Sequence, residues 1–212
     1  MKAKLVMDKI YHVCNKSIAG FGIFKNKYNC NRFLYALDYY NNVHVWTSLS
    51  QVIKRKTYQY NNIIFKKTDS LIKIIAYCIM PDHYHLIFKI TSSNSVTKYI
   101  NDVENSYSRY FNIRYSRKGP LWQSSFLCIR IRSENQLLHT TRYIHLNPVT
   151  AGIVSLPEDW KYSSYKDYIS CPEILARMTE MSVTNGLAYQ KFVEDNIDYQ
   201  QRLKQIKHLL LE

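Results

Sequence analysis

Hydrophobic residues in the first 90 positions form short runs separated by turn residues. The runs Ile10–Lys16, Leu71–Met80 and His83–Ile90 are rich in β-branched and aromatic residues, a composition typical of strands. Pro81-Asp82 separates the last two runs and favours a tight turn. The pattern therefore predicts one early strand and a later pair of strands joined by a turn.

Other segments place apolar residues at the three- and four-residue steps of a helix. A first helix is predicted over Asn29–Tyr40, and a long second helix follows a cap at Ser93 or Asn94. A third helix begins after Ser133 and closes at Asn147-Pro148, because the residue before a proline disfavours helical backbone.

The stretch between the first helix and the strand pair is ambiguous. Val43–Trp46 and Ile63–Phe65 are compatible with strand pieces around a polar loop, and Leu121–Arg132 indicates a further strand. The order strand, helix, strand, strand, helix, strand is that of a ferredoxin-like or RRM-like split βαβ sandwich. We therefore predict an α+β fold, with a four- or five-stranded antiparallel sheet and helices on one face.

Beyond about Ser170 the chain has mixed charge and indicates helices over Glu173–Met181 and Gly186–Glu212. Apolar positions from Phe192 to Leu211 are compatible with one or two amphipathic helices. We predict a domain of residues 1–170 and a helical C-terminal extension of residues 171–212. The extension could bind nucleic acid or support a dimer, but packing against the domain is the default interpretation.

Composition narrows the class of protein. Of the 212 residues 46% are hydrophobic, which is enough for a packed core, and no apolar run has the length of about 18 residues that a membrane span needs. The N-terminal residues lack the apolar stretch of a signal peptide. Five dispersed cysteines without a Cys-x-x-Cys pair favour reduced thiols and argue against a zinc cluster. A cytoplasmic protein without membrane contact is expected.

Charge points to nucleic acid. Lys and Arg number 29 against 16 acidic residues, and the chain has 19 tyrosines, 8 phenylalanines and 3 tryptophans. Basic and aromatic side chains together suit a phosphate backbone with unpaired bases. Compositional bias of the genome is the alternative, but residues 107–132 contain no acid. Their basic residues, the predicted DNA-binding set, are Arg109, Arg114, Arg117, Lys118, Arg130 and Arg132.

Two histidines alternate at the start of the predicted strand His83–Ile90. Side chains alternate between the faces of a strand, so His83 and His85 point the same way and Tyr84 points to the opposite face. Two adjacent imidazoles can hold one divalent metal in an open site. For this motif taken alone, a pair of surface or core histidines without a ligand is the preferred interpretation, and the rest of the chain changes that preference.

Tyr143 and Asn147 lie four residues apart on the third predicted helix and so share one helical face. A tyrosine hydroxyl with an amide one turn later could complete a metal site. Taken alone, the pair is better explained by a core aromatic at Tyr143 and a C-terminal cap at Asn147.

Five ordered blocks between about residues 8 and 168 resemble the single-tyrosine HUH transposases (IS200-like). The resemblance is to the REP-associated tyrosine transposases in particular. Ordered blocks make it more specific than any single motif. The blocks are Tyr11-His-Val-Cys-Asn-Lys16, Met80-Pro-Asp-His-Tyr-His-Leu86, Gly119-Pro-Leu-Trp-Gln123, Arg142-Tyr-Ile-His-Leu-Asn-Pro-Val149 and Trp160-Lys-Tyr-Ser-Ser-Tyr165.

The resemblance implies a metal-dependent endonuclease and strand transferase. The HUH motif matches His83-Tyr84-His85, although tyrosine departs from the usual aliphatic residue. By resemblance, His83, His85 and Asn147 hold Mg²⁺ or Mn²⁺, and Tyr143 attacks single-stranded or hairpin DNA to form a 5′-phosphotyrosine. A monomer or homodimer is expected. The alternative is a non-catalytic module that binds single-stranded DNA or RNA on the same fold.

Structural roles are the preferred interpretation of the other candidate residues. His12, His44, His139, His145 and His208 have no partner at ligand spacing and are interpreted as ordinary histidines. Asp82 precedes His83 in a turn, where it is explained by turn preference, with an outer-shell role as the alternative. Tyr107, Tyr110 and Tyr115 are rival nucleophiles by residue type alone, but packing or base stacking is the preferred interpretation.

Overall fold

A four-stranded antiparallel sheet organises the fold. The computed structural model describes residues 5–60, 63–64, 69–92, 96–176, 178–183 and 185–202. The strands follow the order β2-β3-β1-β4 across the sheet. They are β1 (Ile10–Lys16), β2 (Ile72–Ile79), β3 (His83–Ile90) and β4 (Leu127–Ile131). The predicted α+β class with an antiparallel sheet is confirmed.

Helices connect and follow these strands, and they include the three that were predicted. Their bounds are α1 (Lys27–Tyr40), α2 (Leu49–Lys54), α3 (Val96–Arg114), α4 (Glu134–Thr150), α5 (Tyr165–Ser170), α6 (Pro172–Ala176) and α7 (Gly186–Glu194). Polar caps begin α1 and α4, because the side chains of Asn26 and Ser133 accept hydrogen bonds from the backbone N–H groups of Asn29 and Gln136.

By contact density the chain divides into two compact units, each of which is described by itself. The first comprises residues 1–75 and 81–130, and the second comprises residues 76–80 and 131–212. The predicted division at residue 170 stays a prediction.

In the first unit, β1 and β3 pair antiparallel with Cys14 opposite His85 and Lys16 opposite His83. Residues directly opposite each other point to the same face, so this face carries polar side chains. Tyr84 lies on the other face, where it is buried and its ring centroid is 4.9 Å from that of Phe33 in α1. The bulky residue of the histidine motif therefore anchors the strand in the core, as predicted.

Glu104 of α3 joins helix and sheet in this core. The hydroxyl of Tyr84 and the amide of Asn15 both donate to Glu104 Oε1, at 2.7 and 2.8 Å. Tyr107, one turn further along α3, packs against Phe33 with ring centroids 5.3 Å apart. These contacts hold the β1–β3 pair rigidly beneath its polar face, which a preorganised site requires.

In the second unit, His145 of α4 is fully buried. Its Nδ1 and Nε2 atoms each lie 2.7 Å from a hydroxyl oxygen, of Tyr189 and of Ser164. One neutral imidazole can donate one of these hydrogen bonds and accept the other. Burial lowers the pKa of His145 to about 3. The prediction of an ordinary histidine is confirmed, since His145 belongs to the core.

Stability should therefore fall as the pH is lowered from about 6.5 towards 3, since the unfolded chain binds a proton that buried His145 excludes. The slope from this group approaches about 1.4 kcal/mol per pH unit. His145→Ala should flatten the slope and cost about 3 kcal/mol at pH 7, because it leaves a cavity and removes the hydrogen-bond partner of the buried Tyr189 hydroxyl. Urea unfolding between pH 7 and pH 5 measures both effects. As the control, His139→Ala, on the exposed side of α4, should keep the wild-type slope. Equal slopes in wild type and His145→Ala would contradict the assignment of His145 as the buried, neutral group that causes the pH dependence.

Three predicted elements differ from the structure. Val43–Trp46 is irregular rather than a strand, and Ile63 and Ile64 lie in a turn. The segment between them contains α2, capped by Ser48, whose hydroxyl accepts from the N–H of Gln51. β4 begins at Leu127 rather than Leu121, and Asn15 Nδ2 donates to the Ser124 carbonyl in the segment before it. Position 122 only forms an isolated bridge.

Helix α4 passes through Pro148 instead of closing there. A proline in a helix lacks one N–H, but its fixed φ suits helical backbone. The turn is completed by the N–H of Ala151, which donates to the Asn147 carbonyl at 2.8 Å. Several predicted features lie outside the described residues. They are the cap at Ser93 or Asn94, the residue Phe65, and the apolar positions from Leu203 to Leu211 together with His208.

Candidate active site

His83 and His85 lie side by side on the polar face of the sheet in the first unit. They are the first and third residues of β3, and their ring centroids are 5.0 Å apart with the planes perpendicular. His85 is buried, whereas His83 is partly exposed. Strand alternation alone accounts for the shared face, and the buried Tyr84 between them fixes it.

A third imidazole joins the pair from β1. His12 Nε2 is 3.0 Å from His85 Nδ1, and the two rings stack with centroids 5.2 Å apart. The ligand atoms of His12, Cys14 and His85 lie within 4.8 Å of one another. The interpretation of His12 as a histidine without a partner was wrong. Side-chain alternation along β1 predicts that His12 and Cys14 share a face. That this face lies beside His85 depends on the register between β1 and β3, which only the tertiary structure decides.

Burial keeps the imidazoles of His12 and His85 neutral. It lowers the pKa of His12 to about 4, and burial together with the nearby His12 and His83 lowers the pKa of His85 well below its usual value. Burial raises the pKa of the Cys14 thiol. Near pH 7 the rings therefore present lone pairs, as metal binding requires, whereas the thiol is not activated as a thiolate ligand.

Asp82 orients His83 from the preceding turn. His83 Nδ1 donates to Asp82 Oδ1 at 2.6 Å, and Lys16 Nζ lies 3.4 Å from Asp82 Oδ2. Burial raises the pKa of Asp82, but the hydrogen bond and charge of His83, with Lys16, outweigh burial and lower it. A carboxylate on one ring nitrogen leaves the other nitrogen for a ligand, so the outer-shell alternative for Asp82 fits the geometry.

Tyr143 and Asn147 lie one turn apart on α4 in the second unit. Tyr143 is 42% exposed, so it is not a core aromatic. Asn147 is not the C-terminal cap either, because the helix continues to Thr150 and its cap is Ala151. The Asn147 Nδ2 atom is buried without a hydrogen-bond partner in the described part of the chain. An unpaired buried amide is costly, and it is the kind of group that a ligand satisfies.

The six predicted DNA-binding residues are mostly exposed. Arg117 is partly buried and is already engaged, since its guanidinium donates to the carbonyls of Gly119 and Pro120 and holds the turn after α3. Arg114 stacks over Tyr28 and Tyr115. Arg132 belongs to the second unit and the other five to the first. Those exposed are Arg109, Arg114, Lys118, Arg130 and Arg132.

The rival tyrosines differ in their surroundings. Tyr107 is buried and donates to the Ile23 carbonyl at 2.7 Å, which occupies its hydroxyl. Tyr115 is exposed, and its hydroxyl accepts from the amides of Asn26 and Asn29. Burial raises the pKa of Tyr115, but these hydrogen bonds and Arg114 together outweigh burial and lower it overall. Tyr115 is thus the stronger rival to Tyr143 as a nucleophile.

Comparison with known proteins identifies the family. The family model described as IS200-like transposase matches residues 35–147, which is more than half of the chain. The chain therefore belongs to the IS200-like transposase family. Across the described residues, none of the helices combines the length and the apolar character that crossing a bilayer requires.

Two curated relatives are REP-associated tyrosine transposases by name. A candidate member from Haemophilus influenzae is 29% identical over 101 residues, which cover 43% of this chain and 57% of that protein. An Escherichia coli member is 25% identical over 104 residues, covering 49% of this chain and 60% of the relative. The chain thus spans little more than half the length of these relatives.

A solved structure shares the fold. The REP-associated tyrosine transposase bound to a REP hairpin superposes with a TM-score of 0.56 at 16% identity. The match covers 81% of this chain and 85% of that structure. At this identity the likeness concerns the fold, and it agrees with the α+β architecture described above.

Proposed function

We propose that this protein is a metal-dependent endonuclease and strand transferase that acts on single-stranded DNA through Tyr143. The observation that carries the proposal is the pair of imidazoles, His83 and His85, side by side on one strand face in a chain of the IS200-like transposase family. Perturbed pKa values beside an open polar face are typical of functional sites.

We propose that His83, His85 and Asn147 hold a divalent ion, Mg²⁺ or Mn²⁺. Imidazole nitrogens and an amide oxygen are ligands that such ions accept. The unpaired atom of Asn147 is its Nδ2 donor, which cannot bind a cation but could donate to a phosphate oxygen of the DNA beside the ion. The ion would polarise the phosphate under attack and offset its growing negative charge. Asp82 would act indirectly, by holding the ring of His83 in one orientation.

Tyr143 supplies the nucleophile in this proposal. Its hydroxyl oxygen forms a bond to phosphorus, the bond from phosphorus to the 3′ oxygen breaks, and the phenolic proton is lost while the 3′ oxygen gains one. The products are a 5′-phosphotyrosine and a free 3′-hydroxyl. Because the phosphotyrosine is an activated ester, a second 3′-hydroxyl can reverse the step and join strands without ATP.

The DNA would be a single strand or a hairpin with single-stranded flanks. The exposed basic residues of α3 and β4 supply the charge, and neighbouring tyrosines can stack unpaired bases. The related transposase was solved with a REP hairpin, which supports a hairpin target here. We assign catalysis to residues 1–170, treat residues 171–212 as an extension, and propose a cytoplasmic monomer or homodimer.

Purified protein with Mn²⁺ should cleave a labelled single-stranded oligonucleotide carrying a hairpin and leave the corresponding blunt duplex intact. EDTA should abolish cleavage, and binding should weaken about 10³-fold or more between 50 and 200 mM salt if six or more phosphates are contacted. Denaturing gels and fluorescence anisotropy measure the two effects. Tight single-strand binding without cleavage in Mn²⁺ or Mg²⁺ would favour the non-catalytic binding module, and equal affinity for blunt duplex would point to a groove-reading protein.

A further inference from the structure

Arg32 of α1 is a buried cation whose hydrogen bonds are incomplete. It is 6% exposed, and its Nη2 atom donates to Ser50 Oγ at 2.8 Å. The Nε and Nη1 atoms are buried without a hydrogen-bond partner in the described ranges. One face of the guanidinium lies over the ring of Tyr110, 5.3 Å from its centroid.

No carboxylate of the described residues forms an ion pair with this guanidinium, and Glu212 is the sole acidic residue outside the described ranges. Burial lowers the pKa of Arg32, while the hydroxyls of Tyr40, Tyr110 and Tyr58 counter this effect. The guanidinium of an arginine nevertheless remains charged when it is buried in a protein. A buried charge without a counter-ion destabilises a fold, so its retention calls for a ligand.

The guanidinium lines a cavity of about 470 Å³ in the first unit. Three tyrosine rings and a second arginine form much of its wall, and Ser50 of α2 adds a hydroxyl. Arg114 stands at the exposed edge, stacked on Tyr28. The residues that matter are Tyr28, Arg32, Tyr35, Ser50, Tyr110 and Arg114. Two guanidinium groups and three tyrosine rings are complementary to a ligand that carries an anionic group and a planar ring.

We infer that this cavity binds one nucleoside phosphate, with the phosphate on Arg32 and Arg114 and the base stacked on tyrosine. The residues lie on α1, α2 and α3 and include none of His83, His85, Tyr143 and Asn147. The nucleotide is either one unpaired unit of a DNA strand or a free nucleotide. The nucleotide site depends on the proposed function only if the nucleotide is a unit of a DNA strand.

Thymidine 5′-monophosphate is the probe, and isothermal titration calorimetry measures its binding to the full chain. It should bind at least about tenfold more tightly than thymidine, which lacks the anion, and than inorganic phosphate, which lacks the base. Arg32→Met should reduce the affinity for the nucleotide by about tenfold or more, and Tyr28→Ala by several-fold. Arg55→Met, which removes an exposed cation at the end of α2, should leave it unchanged.

Unfolding in urea separates a ligand role from a structural one. Arg32→Met should be as stable as wild type or more stable, because an uncompensated buried charge has been replaced by an apolar chain. A clear loss of stability in Arg32→Met would overturn the inference. So would unchanged nucleotide affinity in either Arg32→Met or Tyr28→Ala, or equal affinities for thymidine and its monophosphate.

A labelled ten-residue oligothymidylate distinguishes the two sources of the nucleotide. If the cavity holds one unit of a strand, the monophosphate should compete with the oligonucleotide, and Arg32→Met should weaken oligonucleotide binding. If it holds a free nucleotide, neither effect should occur while monophosphate binding persists. Mn²⁺-dependent cleavage, assayed in parallel at saturating DNA, tests the proposed function separately. If the protein cleaves DNA but binds no monophosphate, the nucleotide site is refuted and the proposed function stands.

Discussion

Replacing Tyr143 with phenylalanine should abolish the covalent protein–DNA adduct while leaving the fold and DNA affinity nearly unchanged. The substitution removes one exposed hydroxyl oxygen, which is the proposed nucleophile, and disturbs no core packing. The expected loss of cleavage is at least about 10⁴-fold, since phenylalanine offers no atom that can attack phosphorus. Incubation with labelled single-stranded target and Mn²⁺, followed by a denaturing gel, detects a band that protease removes.

Tyr115→Phe is the matched control for this experiment. Tyr115 is also exposed, and its hydrogen bonds with Asn26 and Asn29 favour the phenolate, which makes it a rival nucleophile. We expect Tyr115→Phe to retain the adduct. If Tyr143→Phe still forms the adduct and Tyr115→Phe or Tyr107→Phe does not, the nucleophile lies on α3 or at its end and the assignment of the active site is wrong.

Substituting alanine for both His83 and His85 should eliminate cleavage and the binding of Mn²⁺, with DNA binding retained. The two imidazoles are the proposed ligands, whereas most of the affinity for DNA comes from phosphate contacts of basic residues elsewhere. Electron paramagnetic resonance measures free Mn²⁺, which should bind wild type weakly at one site. The double substitution His44→Ala with His139→Ala removes two exposed histidines and should change neither measurement. Unchanged cleavage in the His83 and His85 variant would refute the site.

The sheet strands at the site were accessible from the sequence because their signals are local. β1 and β3 begin and end where the apolar runs predict, and alternation along β3 accounts for the shared face of His83 and His85. The cap at Ser133 and the four-residue step from Tyr143 to Asn147 are likewise properties of one helix. The catalytic roles of these residues came from the family resemblance and remain predictions.

Elements whose form depends on distant contacts were missed. α2 was not predicted, because its capping residue Ser48 is a weak signal beside an ambiguous apolar pattern. Pro148 was interpreted as a helix end, yet the hydrogen bonds that follow it carry α4 to Thr150. In both cases the local preference is worth only a few kcal/mol at most, and packing of neighbouring segments can outweigh it.

By itself, then, the sequence determined the α+β class, the positions of β1 and β3, the histidine motif and its bulky core residue, because side-chain periodicity is encoded in consecutive residues. Only the tertiary structure decided that His12 lies against His85, since this contact depends on the register between strands 73 positions apart. It also decided that Arg32 of α1 lines a cavity of about 470 Å³ with no ion-pair partner among the described residues. Burial and its electrostatic consequences arise only when separate segments exclude water together.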